Sequence, residues 1–131
     1  MYLVINPGST SLKYSLFDGA RELVRSENID LTGTSRVNKE FLESYVGDLA
    51  QYMKIVVRVV HGGSLFLEPI CVSPQSLQKL RELSPLAPLH NPPACDLLAT
   101  LISVHSDVWA VFDTAFHATI PQYASTYALP Y

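Results

Sequence analysis

The chain has 131 residues, enough for one domain with a hydrophobic core. Hydrophobic residues make up 48% and charged residues 16%, which is a globular composition and not a disordered one. A formal net charge of -3, with no basic run, argues against a nucleic-acid surface, and no apolar stretch approaches the ~20 residues that cross a bilayer.

The opening "MYLVINPGS" meets Pro7 and Gly8 too early for a signal peptide, so a cytoplasmic chain is expected. Tyr2 to Ile5 reads as a short buried strand. After Asn6-Pro7-Gly8 come three hydroxyl residues, Ser9, Thr10 and Ser11. Leu12 to Phe17 then alternates, with Leu12, Tyr14 and Leu16 on one face. Asp18-Gly19 is a hairpin signal leading to a third strand over Glu22 to Ile29. Between Asn6 and Ser11 the turn is longer and richer in donors than chain reversal requires. Gly8 permits close approach of backbone N–H groups to an anion, the hydroxyls donate, and Lys13 adds charge. A phosphate would suit that set. So would a wide polar hairpin, since no phosphate-loop motif and no helix follow.

From Val37 the apolar residues Val37, Phe41, Leu42, Tyr45, Val46, Leu49 and Met53 mark one face of an amphipathic helix, interrupted by Gly47. "IVVRVV", Ile55 to Val60, is nearly continuous and β-branched, which predicts a strand covered on both faces. Arg58 inside it needs either an internal ion pair or a cleft in which it clamps a carboxylate or phosphate. His61-Gly62-Gly63 ends the strand. Ser73-Pro74 starts a helix carrying Leu77, Leu80 and Leu83, and Ser84-Pro85 stops it. Asn91-Pro92 repeats the start signal before the stripe Ala94, Leu97, Leu98, Leu101 and Ile102. "VWAVF", Val108 to Phe112, is a last buried strand that delivers Asp113 at its carboxyl end. Asp113 suits an Asx-type cap of the following turn. Equally, Asn6, Arg58 and Asp113, at or near three strand ends, suit the sheet edge where ligands of α/β folds collect.

Cys71 and Cys95 have no metal or CxxC spacing and read as two free buried thiols, and the four histidines have no zinc-site spacing. The ending "YASTYALPY" is apolar and aromatic, so a cut ahead of a further segment is expected. Three antiparallel strands, a helix, a strand, helices and a strand predict a mixed α/β layer architecture.

"VINPGSTSLKYSLFD", "VVRVVHGG", "LAPLHNPPA" and "AVFDTAFHATIP…YALPY" resemble, in order and over most of the chain, the signature blocks of acetate kinases. The resemblance implies the first lobe of the acetate and sugar kinase, heat-shock protein and actin superfamily. Its core is a ribonuclease H-like mixed sheet of five strands with flanking helices, over residues 1–131 as a single domain. It implies a phosphotransferase that converts ATP and acetate, or another short-chain acid, to ADP and acetyl phosphate, with magnesium as cofactor. Asn6 resembles a magnesium-associated asparagine, and Ser9, Ser11 and Lys13 resemble phosphate-side residues. Arg58 resembles the arginine that engages the acyl substrate, Val60 and Leu89 the acyl-pocket wall, and Asp113 the residue usually called the catalytic acid/base. A homodimer of the full-length protein is implied, with no nucleic-acid or membrane partner.

The pattern departs in places. Pro7 stands where acetate kinases usually have alanine, and "NPGST" is closer to butyrate kinases. The stretch from Lys13 to Arg58 is shorter than the family norm. A second lobe bearing the adenosine site, a histidine, another arginine and a magnesium-linked glutamate has no counterpart in these residues. The alternative expectation is a non-catalytic, single-lobe binding module on the same fold.

Overall fold

The computed structural model describes residues 1–33, 37–126, 128 and 129. Strand β1 (Tyr2–Pro7) pairs antiparallel with β2 (Ser11–Phe17), and β2 with β3 (Leu23–Asp30). Helix α1 (Lys39–Val46) leads to β4 (Lys54–Val59), which lies parallel to β1. A two-residue strand β5 (Ile70–Cys71), helix α2 (Pro74–Glu82) and helix α3 (Asn91–Ile102) follow. Strand β6 (Val108–Phe112) lies parallel to β4 and antiparallel to β5, and a short helix α4 (Gln122–Ser125) comes last. Among the described residues the sheet has six strands, in the order β3-β2-β1-β4-β6-β5. The expected five are all present. The sixth, β5, is an edge strand too short to carry a period-2 signal.

One face of the sheet is buried along β1, β2, β4 and β6. Leu3, Ile5, Leu12, Tyr14, Ile55, Val57, Val59, Val108 and Ala110 join one core with Leu42, Leu49, Leu80, Leu97, Leu98 and Leu101. The other face differs, and corrects the reading of β4 as covered on both sides. Val56, Trp109 and Val111 are only half-buried, and Arg58 is exposed. Strict alternation of burial along β4 and β6 was hidden because the less buried positions are also mostly apolar.

Local chemistry sets the helix ends. Asn38 caps α1 by accepting from the Phe41 N–H, and Gly47, at φ +75°, ends the helix where a side chain would be strained. The helix is therefore shorter than its apolar spacing, and Leu49 is buried from a separate 3-10 turn, Leu49–Gln51. Tyr45 and Met53, placed on the apolar face from spacing, are exposed. At α2 the Ser73 and Ser76 hydroxyls cap each other's backbone N–H, with Pro74 in the first turn. Asn91 does not cap α3. It is the first residue of that helix, and its amide turns to another segment. Cys95 is buried as expected, whereas Cys71 is exposed on the edge strand. Of the ending, Tyr127, Pro130 and Tyr131 lie outside the described residues, and Ala128 and Leu129 are exposed.

Candidate functional site

Parallel pairing of β1, β4 and β6 brings the three polar residues together. Ile5 lies beside Val57 and Val59 beside Phe112, so Asn6, Arg58 and Asp113 reach the same rim of the sheet. Alternation then points them away from the core. Arg58 Nε donates to Asp113 Oδ1 at 2.8 Å, and Nη2 donates to Asp113 Oδ2. Arg58 Nη1 donates to Asn6 Oδ1 at 2.9 Å. The side chains of Arg58 and Asp113 are 43% and 41% exposed, so the pair is a solvated one and not a dry core ion pair. Asp113 raises the Arg58 pKa above its ordinary value, first through the hydrogen bond, and the guanidinium stays charged at any working pH.

A guanidinium carries five N–H donors, and Asp113 and Asn6 engage three of them. Among the described residues the other two have no acceptor. Asp113 and Asn6 thus hold the plane of Arg58 while leaving part of its fork unoccupied. Arg58 has an acidic partner and faces outward.

The hydroxyl turn closes tightly. Gly8 N donates to Ser11 O at 2.7 Å, and a Cβ on Gly8 would lie 2.9 Å from that oxygen. Ser9 and Thr10 are exposed at its tip, with Ser11 half-buried. Lys13 is exposed and sits directly across from Asn6 in the β1–β2 register. Lys13, Asn6, Arg58 and Asp113 therefore form one polar row across β2, β1, β4 and the end of β6. Val60 is half-buried one residue beyond β4, while Leu89, ahead of α3, is 74% exposed.

Sequence reasoning missed two residues around the His61-Gly62-Gly63 turn. Asn91 Nδ2 donates to His61 O at 2.9 Å, and His61 N donates to Asn91 Oδ1 at 3.3 Å. Gly62 N donates to Thr114 Oγ1 at 3.0 Å. A Cβ on Gly62 would lie 2.6 Å from Phe66 O and 2.9 Å from the Phe112 ring, so only glycine fits. The Asn-Pro pair was readable only as a helix start, and nothing local in the sequence points Asn91 at His61.

The sequence model of the Acetokinase family matches residues 32–131. The chain belongs to the acetokinase family. The acetate kinase of Desulforamulus reducens is 35% identical over 166 aligned positions, which span 100% of this chain and 42% of that protein. The acetate kinase of Thermotoga maritima is 36% identical, over 98% of the chain and 40% of that relative. Among solved structures, Porphyromonas gingivalis acetate kinase superposes with a TM-score of 0.77 at 25% identity, over 99% of this chain and 41% of its own. A propionate kinase from Francisella tularensis gives a TM-score of 0.74 at 28% identity, over 99% and 41%. This acetokinase-family chain thus spans about two fifths of the length of the relatives it matches. The 166 positions aligned with 131 residues leave about 35 in the Desulforamulus relative without a counterpart here.

Proposed function

We propose that this chain supplies the acyl-acid and phosphate-facing half of an acetate kinase-type phosphotransferase, joining ATP and acetate to give ADP and acetyl phosphate. The observation that carries the proposal is the outward-facing Arg58 guanidinium, held by Asp113 and Asn6 with two N–H donors left over. A carboxylate accepting from those donors would lie on the open rim, beside the row that ends in Lys13. Phosphoryl transfer depends mainly on positioning and on neutralising charge. One acetate oxygen forms the new bond to the γ-phosphorus of ATP while the bond from that phosphorus to the bridging oxygen breaks, and ADP leaves with the electron pair. Lys13 and the hydroxyls of Ser9 and Ser11 are proposed to face the phosphates.

Asp113 is assigned to orienting Arg58 and not to removing a proton. A carboxylic acid substrate with a pKa of ~4 is already ionised at pH 7 and has no proton to give up. Among the described residues no three His, Cys, Asp or Glu side chains come together as a metal site, and the oxygens of Asn6 and Asp113 are turned to a cation, Arg58. The chain's own donors therefore do not fit a magnesium ion unaided. Magnesium is proposed to arrive on the nucleotide phosphates, its usual ligands, and no step is routed through it.

Among the described residues no helix is long and apolar enough to cross a membrane. A cytoplasmic location, ATP as the phosphoryl donor and a homodimer of the whole protein belong to the same proposal. The test is a titration of the purified chain with acetate, followed by the backbone amide resonances of Val59 and Val60, which both the unmutated chain and Arg58→Ala retain. Saturable shifts that vanish in Arg58→Ala are expected. No response to any short-chain acid would overturn the reading and favour a binding module of other specificity.

A further inference from the structure

Asn91 is 0% exposed, and it is the one buried amide or charged side chain among the described residues. A buried amide is tolerated when its donor and acceptor are both satisfied, and here both are spent on a single residue. Nδ2 donates to the His61 carbonyl at 2.9 Å and Oδ1 accepts from the His61 N–H at 3.3 Å. The next two N–H groups are also taken, Gly62 by Thr114 Oγ1 at 3.0 Å and Gly63 by the His61 ring Nδ1 at 2.9 Å. Every N–H of the turn thus has a named acceptor.

Three chain segments meet at this knot. His61 directly follows Val60 and lies three residues beyond Arg58. Asn91 lies two residues beyond Leu89, and Thr114 directly follows Asp113. A cap for α3 is not what the Asn91 amide provides, since His90 holds the cap position. We propose that Asn91 is a positioning residue: with Thr114, it fixes the spacing between the Val60 end of β4 and the Leu89 segment, and thereby sets which acid length fits beside Arg58. This rests on the reading that Arg58 takes a short-chain acid. A wall residue as exposed as Leu89 has little packing of its own to locate it, so its backbone anchor decides where it stands.

Two shape-preserving variants test it on the 131-residue chain. Asn91→Asp sets a second oxygen against the His61 carbonyl, and Thr114→Val removes the acceptor of Gly62. Amide hydrogen exchange is expected to speed by about 10- to 100-fold at His61 in the first and at Gly62 in the second, with Thr114→Ser close to the unmutated chain. Acetate and butyrate titrations are expected to show their affinity ratio moving toward unity in Asn91→Asp, with Arg58 still responding to both acids. If Asn91→Asp does not fold, Thr114→Val and its serine rescue decide the same two readouts. Unchanged exchange overturns the proposal. So does faster exchange with an unchanged acid ratio, which would reduce Asn91 to a purely structural clamp. Absence of acid binding in the unmutated chain, with exchange responding as expected, would sink the reading of Arg58 and the specificity role together while leaving the knot in place.

Discussion

Arg58 and Asp113 form a solvated pair, so their value lies in geometry more than in stability. Exposed ion pairs contribute about 0–1 kcal/mol. Asp113→Asn is therefore expected to change the unfolding free energy by less than about 1 kcal/mol, measured by urea melts, yet to weaken acetate binding clearly because the guanidinium loses its bidentate holder. Arg58→Lys should fold equally well and still fail to bind, since an ammonium cannot serve Asp113, Asn6 and a third acceptor in one plane. Retained acetate affinity in the lysine variant would show that charge alone suffices. The proposed acyl wall makes a graded prediction. Val60 and Leu89 are modest in size, and one methylene in such a pocket is worth about 1–3 kcal/mol. Acetate and propionate should bind better than butyrate, and a titration series peaking at butyrate would make the "NPGST" turn the better guide.

At the scale of elements, the turn after β4 and the caps of the helices are the sensitive points. Gly62→Ala would drive a methyl group into Phe66 O and the Phe112 ring, and overpacking of this kind typically costs about 1–3 kcal/mol. Ser73→Ala, which removes only the α2 cap, should cost about 1 kcal/mol. Thermal melts of the two side by side check the order. High pH should also loosen the layer between helices and sheet. Burial raises the Cys95 thiol above its ordinary 9.0, and burial likewise raises the phenols of Tyr52 and Tyr14 above 10.0. Raised values stabilise the fold below the unfolded pKa. As pH climbs past 9 and then 10, the unfolded chain releases protons that the folded chain keeps, so stability falls until the folded values are passed. Melting temperature is expected to decline from pH 8 to pH 11, with the first part of that decline flattened in Cys95→Ala. An unchanged profile in that variant would remove Cys95 from the account.

For the molecule as a whole, the proposed function places only part of a kinase in these residues. The relatives carry more than half of their length beyond what aligns here, and in-line transfer needs ATP and acid held together. We expect the isolated 131 residues to bind short acids at Arg58 and not to make acetyl phosphate. A coupled assay with ATP, magnesium and acetate checks this. Turnover near that of an ordinary kinase, abolished by Arg58→Ala, would mean that this chain completes a cleft by itself or with a second copy.

The strands from Tyr2 to Phe17, the capped start at Ser73-Pro74 and the delivery of Asp113 by "VWAVF" were all legible along the chain, because alternation, caps and turn residues act over a few residues. The resemblance of four ordered blocks carried the family as well. Three things were not legible. Uneven cover of β4 and β6 was hidden by apolar residues on both faces, the α1 stop depended on the backbone of Gly47, and β5 is too short for any periodicity. Asn91 is the sharpest case: a helix-start residue by sequence, it serves a turn 30 positions away. Sequence determined which residues were polar, where elements began and which family they join. Only the tertiary structure decided that Arg58 lies between Asp113 and Asn6 and that Asn91 holds His61, because strand pairing and helix packing unite positions that no local period connects.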